Sequence, residues 1–394
     1  MYFSPILTPT VLWLLAASAI CVTLSAAIYF TRVRTVAAFR RRADKERPDK
    51  PDAEFEPASV IVYSQGDAEN LTSMLESLLA QDYPAPFEIV VVNEGESSDV
   101  RDAVSMLRSA HNNLYLTFTP EGVVNLSRKK LALTLGVKAA RYDVVVLTTT
   151  AAEIESPLWL KRMMAPFSAG SPVEVVLGFA YVDPAEDSAR GCRRRAFDYV
   201  ADSVRWLGVA IAGKPFRGTE YNLAYRKEVF LRNKGFARSL NLHYGDDDIF
   251  VSQIANGANT AVELSDESIV RLRHGNHPRI FSERVLRRCF TESFIRRRPR
   301  LLYPLAGWLQ LSAIGCAAVA SWMAWPNLQA PAIGVVLLAI IIVLDITTWR
   351  KVMAALKSRP LLLTLPWFAL TYPLRKFGGR IRGRLGKHKK YTWD

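Results

Sequence analysis

Hydrophobic positions follow two regimes along this chain. At both ends they run on almost without interruption, while in the middle they come as short blocks between helical patterns. Residues 5–30 form an almost uncharged apolar run, longer than the ~20 residues a helix needs to cross a bilayer. No basic segment precedes it, and it is long for the apolar part of a signal peptide, so a retained transmembrane helix is expected. Residues 301–325 and 332–346, extendable to 349, are two further apolar runs. A linker with Pro326 and Pro331 parts them, which predicts a transmembrane hairpin. Residues 361–372 are apolar but too short to span, and read as an interfacial segment with Trp367 and Tyr372 as anchors.

From residue 58 to about 293 the pattern changes. Residues 59–63, 87–93, 114–119 and 143–147 predict strands, and the second and fourth are continuous apolar runs, as in a parallel sheet covered on both faces. Residues 69–80, 98–108 and 127–141 carry helical spacing between them. This alternation predicts an α/β domain with a Rossmann-like, mostly parallel sheet that binds ligands at the carboxyl ends of its strands. The division is a transmembrane helix (1–31), a charged, solvated linker (32–57), the α/β domain (58–295), a transmembrane hairpin (296–350), and an interfacial segment with a basic tail (351–394).

Charge refines this picture. The net charge is +14, and the basic clusters at 32–47, 296–300 and 375–390 flank the apolar runs. That is the juxtamembrane pattern, with anionic lipid as partner. No aromatic-interleaved basic module accompanies it, so nucleic acid is excluded as a partner. Lys and Arg are dense after the first run, before the second and after the third, and absent between the second and third. The expected arrangement is multi-pass in the inner (cytoplasmic) membrane, with the α/β domain and carboxyl terminus cytoplasmic and the amino terminus outside. The four cysteines, Cys21, Cys192, Cys289 and Cys316, are too scattered for a disulfide framework or zinc site.

Five segments in order carry a resemblance. They are Val60-Ile61-Val62-Tyr63-Ser64 with Glu69-Asn70-Leu71 and Gln81-Asp82-Tyr83-Pro84; Asn93-Glu94-Gly95; Ser127-Arg128-Lys129-Lys130; Gly218-Thr219-Glu220-Tyr221-Asn222-Leu223-Ala224-Tyr225-Arg226-Lys227; and Tyr244-Gly245-Asp246-Asp247-Asp248. Over residues 57–300 the chain resembles family 2 glycosyltransferases of the GT-A fold, particularly bacterial membrane-attached members. The resemblance implies a donor nucleotide held by Tyr63, Ser64, Glu69, Asn93, Glu94, Lys129 and Lys130. It implies an acceptor side built on Gly218, Asn222, Tyr225 and Asp248. The family's general base falls on Asp247, with Asp246 second. Three adjacent carboxylates at a helix start also fit an acidic N-cap.

The family's Asp-x-Asp metal motif falls on Thr149 and Ala151, neither a ligand for a hard divalent cation such as magnesium or manganese. Glu153 is the one nearby carboxylate singled out as a candidate metal ligand. The downstream family segment of the form Gln-x-x-Arg-Trp is matched by Val285-Leu286-Arg287-Arg288-Cys289, with Arg288 as the candidate diphosphate contact. His243, His274 and His277 read as surface or structural residues. The implied function is inverting transfer of a sugar from a nucleotide-sugar donor to a glycan or lipid-linked acceptor at the cytoplasmic membrane face, in polysaccharide or cell-envelope synthesis. The altered donor motifs leave an alternative: a catalytically degenerate subunit acting as a scaffold in a glycan-assembly complex.

Overall fold

The computed structural model describes residues 7–45, 54–120, 122, 126–168, 170–185, 190–295, 302–358 and 363–385. Helix α1 (Pro9–Ile28) passes through a π-turn at Tyr29–Val33 into α2 (Arg34–Lys45). The expected solvated linker is therefore helical as far as Lys45. The reason lies in one face: Val33, Val36, Ala37 and Arg40 fall at helical spacing and are buried. The arginines on the other sides of this helix mask that stripe in the sequence.

The α/β domain opens as β1 (Ala58–Ser64), α3 (Ala68–Leu79), β2 (Phe87–Asn93), α4 (Ser98–Arg108), β3 (Leu114–Phe118), α5 (Arg128–Ala139) and β4 (Val144–Thr149). It continues as β5 (Ala152–Glu153), α6 (Trp159–Met164), β6 (Val175–Leu177), β7 (Ala180–Tyr181), α7 (Cys192–Ile211), β8 (Leu223–Arg226) and α8 (Lys227–Arg232). It ends with α9 (Asp248–Ile254), β9 (Thr260–Val262), β10 (Val270–Leu272) and α10 (Pro278–Thr291). The main sheet runs β3-β2-β1-β4-β8-β6-β9, and a small sheet runs β5-β10-β7. Strands β3, β2, β1 and β4 are parallel, while β8 is antiparallel to both β4 and β6.

The chain leaves β1 toward β2 on one side and returns to β4 on the other. Crevices form at such a reversal, outside the carboxyl ends of the strands. Register fixes what lies there: Tyr63 pairs with Val92 and Thr149, and Ser64 with Asn93. Close packing of α5 beneath this point requires Gly136, whose added Cβ would stand 2.8 Å from the methyls of Ile61 and Val92.

Among the described residues, three helical segments are long and apolar enough to cross a membrane: Pro9–Lys45, Leu305–Ala324 within α11 (Leu302–Ala324), and α12 (Gln329–Ala355). Helix α1 lies along α11, and Ser18 Oγ donates to the Ala313 carbonyl at 2.8 Å. Helix α13 (Leu365–Leu385) continues well past the expected interfacial segment. Trp367 is 65% exposed. Tyr372 turns inward instead and meets the Phe197 ring at 6.2 Å. The basic run 296–300 and the tail from 386 lie outside the described residues.

Glu292, just past α10, ties three helices together. It accepts from Arg205 of α7 at 2.7 Å and lies 3.4 Å from Arg380 of α13. Burial opposes its charge, but Arg205 and then Lys376 override burial and hold the carboxyl at about 2, against an ordinary 4.5. A carboxylate depressed on folding stabilises the fold above its unfolded pKa and loses that effect as pH falls through the folded value. The shift corresponds to about 3 kcal/mol, lost between about pH 5 and pH 2. Thermal unfolding of Glu292→Gln is expected to show a clearly flatter acid limb than the parent. Superimposable limbs would refute the assignment.

Candidate active site

The site begins with a cap. Ser127 Oγ accepts from the Lys130 amide at 3.4 Å and starts α5. Two consecutive lysines then diverge. Lys130 is buried, and its ammonium donates to the carbonyls of Ser239, Leu242 and Tyr244 at 2.5, 3.1 and 2.8 Å. Lys129 points to the strand ends. Its Nζ pairs with Glu220, lies 2.7 Å from Asp246 Oδ2, and stands 5.4 Å from the centre of the Tyr63 ring. Lys130 thus clamps the segment that delivers the three aspartates, while Lys129 meets the first of them.

The three carboxylates have distinct surroundings. Asp246 is 3% exposed and held by Lys129 and by Arg287 Nη2 at 2.8 Å. Burial would raise its pKa, but Lys129 and Arg287 hold it well below the ordinary carboxylate range. Such an ion is a poor proton acceptor. Asp248 is buried against Thr291, and burial together with neighbouring Asp247 pushes its pKa up. Asp247 caps α9: its Oδ1 accepts from the Asp248 amide at 2.9 Å and from Arg287 at 3.2 Å. Its Oδ2 takes no hydrogen bond among the described residues.

Arg287 is the hub. It donates to Glu220 at 2.6 Å and to Asp246 and Asp247. Burial alone would lower its pKa, but Asp247 and Asp246 raise it, so it is a permanent cation. Two cavities meet at this residue. The larger, of about 560 Å³, opens over the strand ends between Tyr63, Glu94, Arg128, Lys129, Thr149 and Tyr244. The smaller, of about 150 Å³, holds Gly218, Tyr221, Asp247 and Asp248. Arg287 and Glu220 line both.

The donor-side expectations divide accordingly. Tyr63, Glu94, Lys129, Thr149 and Ala151 line the larger cavity. The Tyr63 hydroxyl donates to Glu94 and accepts from Gln65 Nε2 at 2.9 Å. The Thr149 hydroxyl is buried without a protein partner among the described residues. Ser64, Asn93 and Lys130 sit behind the lining. Asn93 joins the loops after β1 and β2, accepting from the Gly66 amide at 3.0 Å and donating to the Gly95 carbonyl at 2.8 Å. Glu69 is exposed in the first turn of α3. Arg288 needs correction as the diphosphate contact: it turns away to Asp202 of α7, and its neighbour Arg287 takes the place at the site.

On the acceptor side, Gly218 and Asp248 line the smaller cavity, with a Cβ at Gly218 falling 3.1 Å from Val251. Asn222 and Tyr225 do not reach it. Tyr225 is fully buried and stacked on Phe230. Asn222 donates to the carbonyls of Phe179 and Ser268 at 3.1 and 2.7 Å and accepts from Trp159 Nε1 at 3.1 Å. Asn222→Ala would leave three buried groups unpaired, so we expect a loss of about 2–4 kcal/mol in stability, read by thermal unfolding. A change confined to acceptor KM, with no loss of stability, would contradict this.

Glu220, Arg287, Glu283 and Gln65 are site residues that the sequence motifs did not single out. The first two lie inside the quoted segments, and their direction is what only the fold supplies. His243 lines the larger cavity, whereas His274 and His277 share a backbone turn, with the His277 amide donating to the His274 carbonyl at 2.9 Å.

The fit to a divalent metal is poor. At the strand end stand Thr149, Thr150 and Ala151. Glu153 lies on β5, where Arg271 Nε donates to it at 3.0 Å, and it is not part of the cavity wall. Among the described residues no three His, Cys, Asp or Glu side chains converge as ligands. The cavity offers cations instead: Arg128 at the mouth, then Lys129 and Arg287.

Comparison with known proteins bears on the fold. The structure is similar to the mannosyltransferase PcManGT from Pyrobaculum calidifontis, solved with GDP-Man and Mn2+. That match has a TM-score of 0.52 at 18% identity and covers 92% of this chain and 99% of the other. Weaker likenesses are to Staphylococcus aureus TarS (TM-score 0.40, 17% identity, 84% and 92% covered) and Mycobacterium tuberculosis glucosyl-3-phosphoglycerate synthase (TM-score 0.39, 14% identity, 61% and 85% covered). No curated protein matches the chain. The mostly parallel α/β domain is thus GT-A-like, and the expected resemblance holds at the level of a glycosyltransferase. By sequence, residues 11–377 match glycosyl transferase family 21, and the chain belongs to that family.

Proposed function

We propose that the chain transfers a sugar, with inversion, from a nucleotide-sugar donor to a glycan or lipid-linked acceptor at the cytoplasmic face of the inner membrane. The observation that carries this reading is the shared wall of the two cavities, where Arg287 faces the larger one and holds Asp247 in the smaller. The donor lies in the larger cavity. Its base and ribose are placed near Tyr63 and Glu94, and its diphosphate near Arg128, Lys129 and Arg287. The unpartnered Thr149 hydroxyl supplies one further contact to the donor. The acceptor hydroxyl enters the smaller cavity beside Asp247 Oδ2.

In the reaction, the acceptor oxygen attacks the anomeric carbon as its bond to the phosphate oxygen breaks. Asp247 takes the hydroxyl proton, and the nucleoside diphosphate leaves with the bonding pair. Fixed cations stabilise the charge that develops on it. Lys129 and Arg287 are compensated by Glu220, Asp246 and Asp247 in the resting site, so they hold geometry before the donor arrives and share their charge with it afterwards.

Membrane placement rests on the three apolar helices and on the distribution of Lys and Arg around them. The decisive titration is calorimetric: UDP, GDP and their sugar conjugates into the intact protein in detergent, with magnesium, with manganese and with EDTA. We expect one nucleotide to bind with an affinity that EDTA leaves within about twofold. Binding only with metal would overturn the cation assignment. No binding of any nucleotide would leave the scaffold reading in its place.

A further inference from the structure

A third cavity, of about 440 Å³, lies between α7, α10 and α13, and it is rich in cations. Eight Arg or Lys side chains line it against three acidic ones, Asp198, Asp202 and Glu292. The acids are already committed. Asp198 pairs with Arg375, Glu292 with Arg205, and Asp202 accepts from both Arg288 and Lys376. Asp202 also lies 3.8 Å from Arg205 and 3.6 Å from Arg217.

This leaves one buried donor in the wall unfilled. Arg284 Nη2 donates to the Gly275 carbonyl at 3.3 Å and its guanidinium stands 4.8 Å from the Tyr199 ring, but its Nη1 has no hydrogen-bond partner among the described residues. Arg205 and Arg217 stand outside the lining, paired with Glu292, Asp202 and Asp248. An unpaired buried donor in a wall with more cations than acids is a place for an anion's oxygen. Burial, and after it Arg205, also press the Lys376 ammonium down to about 8 against the pull of Asp202 and Glu292.

Two further features say which anion. First, the cavity adjoins the acceptor side, since Arg284 and Arg288 line both it and the small cavity that holds Asp247. Second, α13 forms one wall and carries an exposed apolar stripe of Trp367, Leu374, Phe377 and Ile381 at helical spacing. The helix is docked on the first hairpin helix, where Pro373 fills the space above Gly307 of α11 and Phe377 meets Trp308 at 6.3 Å. An apolar helix face beside the end of a spanning helix lies at the level of lipid chains.

We propose that this cavity seats the phosphate group of a membrane lipid, whose chains lie along α13 and whose head points past Arg284 and Arg288 toward Asp247. That the head lies beside the acceptor pocket rests on the functional reading above, whereas phosphate binding itself does not.

The test uses the intact protein in neutral detergent and native mass spectrometry. Three probes are compared: phosphatidic acid, the diacylglycerol with the same chains, and inorganic phosphate. We expect saturable binding of phosphatidic acid at least about tenfold tighter than of either other probe, weakened about tenfold by Arg284→Gln. Arg380→Gln, nearer the surface, gives a second variant should the first fail to fold. Equal binding of diacylglycerol would overturn the phosphate site. Equal binding of inorganic phosphate would overturn the lipid assignment, as would two folded variants that bind like the parent. UDP and GDP titrated into the same preparation separate the two proposals. Nucleotide binding without lipid binding sinks this one alone, and the reverse sinks only the donor reading.

Discussion

Replacing Asp247 by asparagine is expected to slow sugar transfer by about two to four orders of magnitude while leaving donor affinity within about twofold. The substitution keeps shape and removes only basicity. An amide oxygen can still accept from the Asp248 amide, so the cap of α9 survives. What is lost is a carboxylate whose second oxygen is free among the described residues and which lines the acceptor-side cavity. The neighbours are poor substitutes. Asp246 is fixed between Lys129 and Arg287 with its pKa held down, and Asp248 is spent on Thr291 and its own helix. The same logic predicts a different phenotype for Asp246→Asn. Removing that charge disturbs Lys129 and Arg287 together, so donor affinity should fall along with turnover. Initial rates in membranes, paired with calorimetric donor affinity, distinguish the two. Should Asp247→Asn retain activity within about tenfold, the base lies elsewhere and Asp248 is next in order.

The contrast between these aspartates also marks where sequence reading stops. Strands β1, β2 and β4 are legible because a parallel strand buried on both faces leaves an unbroken apolar run. Strands β5, β6, β7 and β9 are two or three residues long, too short to leave any period. Helix α2 hides because its four arginines break up the apolar pattern, and one of them, Arg40, lies on the buried face itself. At the site, motifs locate residues but do not aim them. Adjacent positions on a helix point about 100° apart, so Arg287 reaches the aspartates and Arg288 reaches α7, although the sequence pattern matches Arg288. Lys129 and Lys130 divide in the same way. Asn222 and Tyr225 belong to a segment whose neighbour Gly218 meets the cavity, yet both are in the core.

Lys130→Met should damage activity far more than stability. The methionine fills nearly the same apolar volume, but three carbonyls of the segment before Asp246 lose their donor. At about 1–2 kcal/mol for each, that loss is roughly 3–6 kcal/mol. Against it stands the cost of burying the ammonium. Burial presses Lys130 down to about 8 from 10.5, with Asp246 and Asp248 opposing, which corresponds to about 3 kcal/mol that methionine does not incur. The net loss is thus between about zero and 3 kcal/mol, at most a few degrees in Tm for a domain of this size. Turnover is a different matter, because a catalytic group displaced by about 1 Å costs on the order of a hundredfold. The pH dependence supplies an independent check. A lysine whose folded pKa is depressed binds fewer protons than the unfolded chain between about pH 8 and pH 10.5, so stability gains a positive slope there. Lys376 contributes a slope of the same sign, since it too is held at about 8. Lys130→Met should therefore remove its own share of the alkaline slope and leave that of Lys376 in place. A variant with full turnover and an unchanged slope would mean that Lys130 does not clamp the aspartate segment and that Arg287 holds it instead.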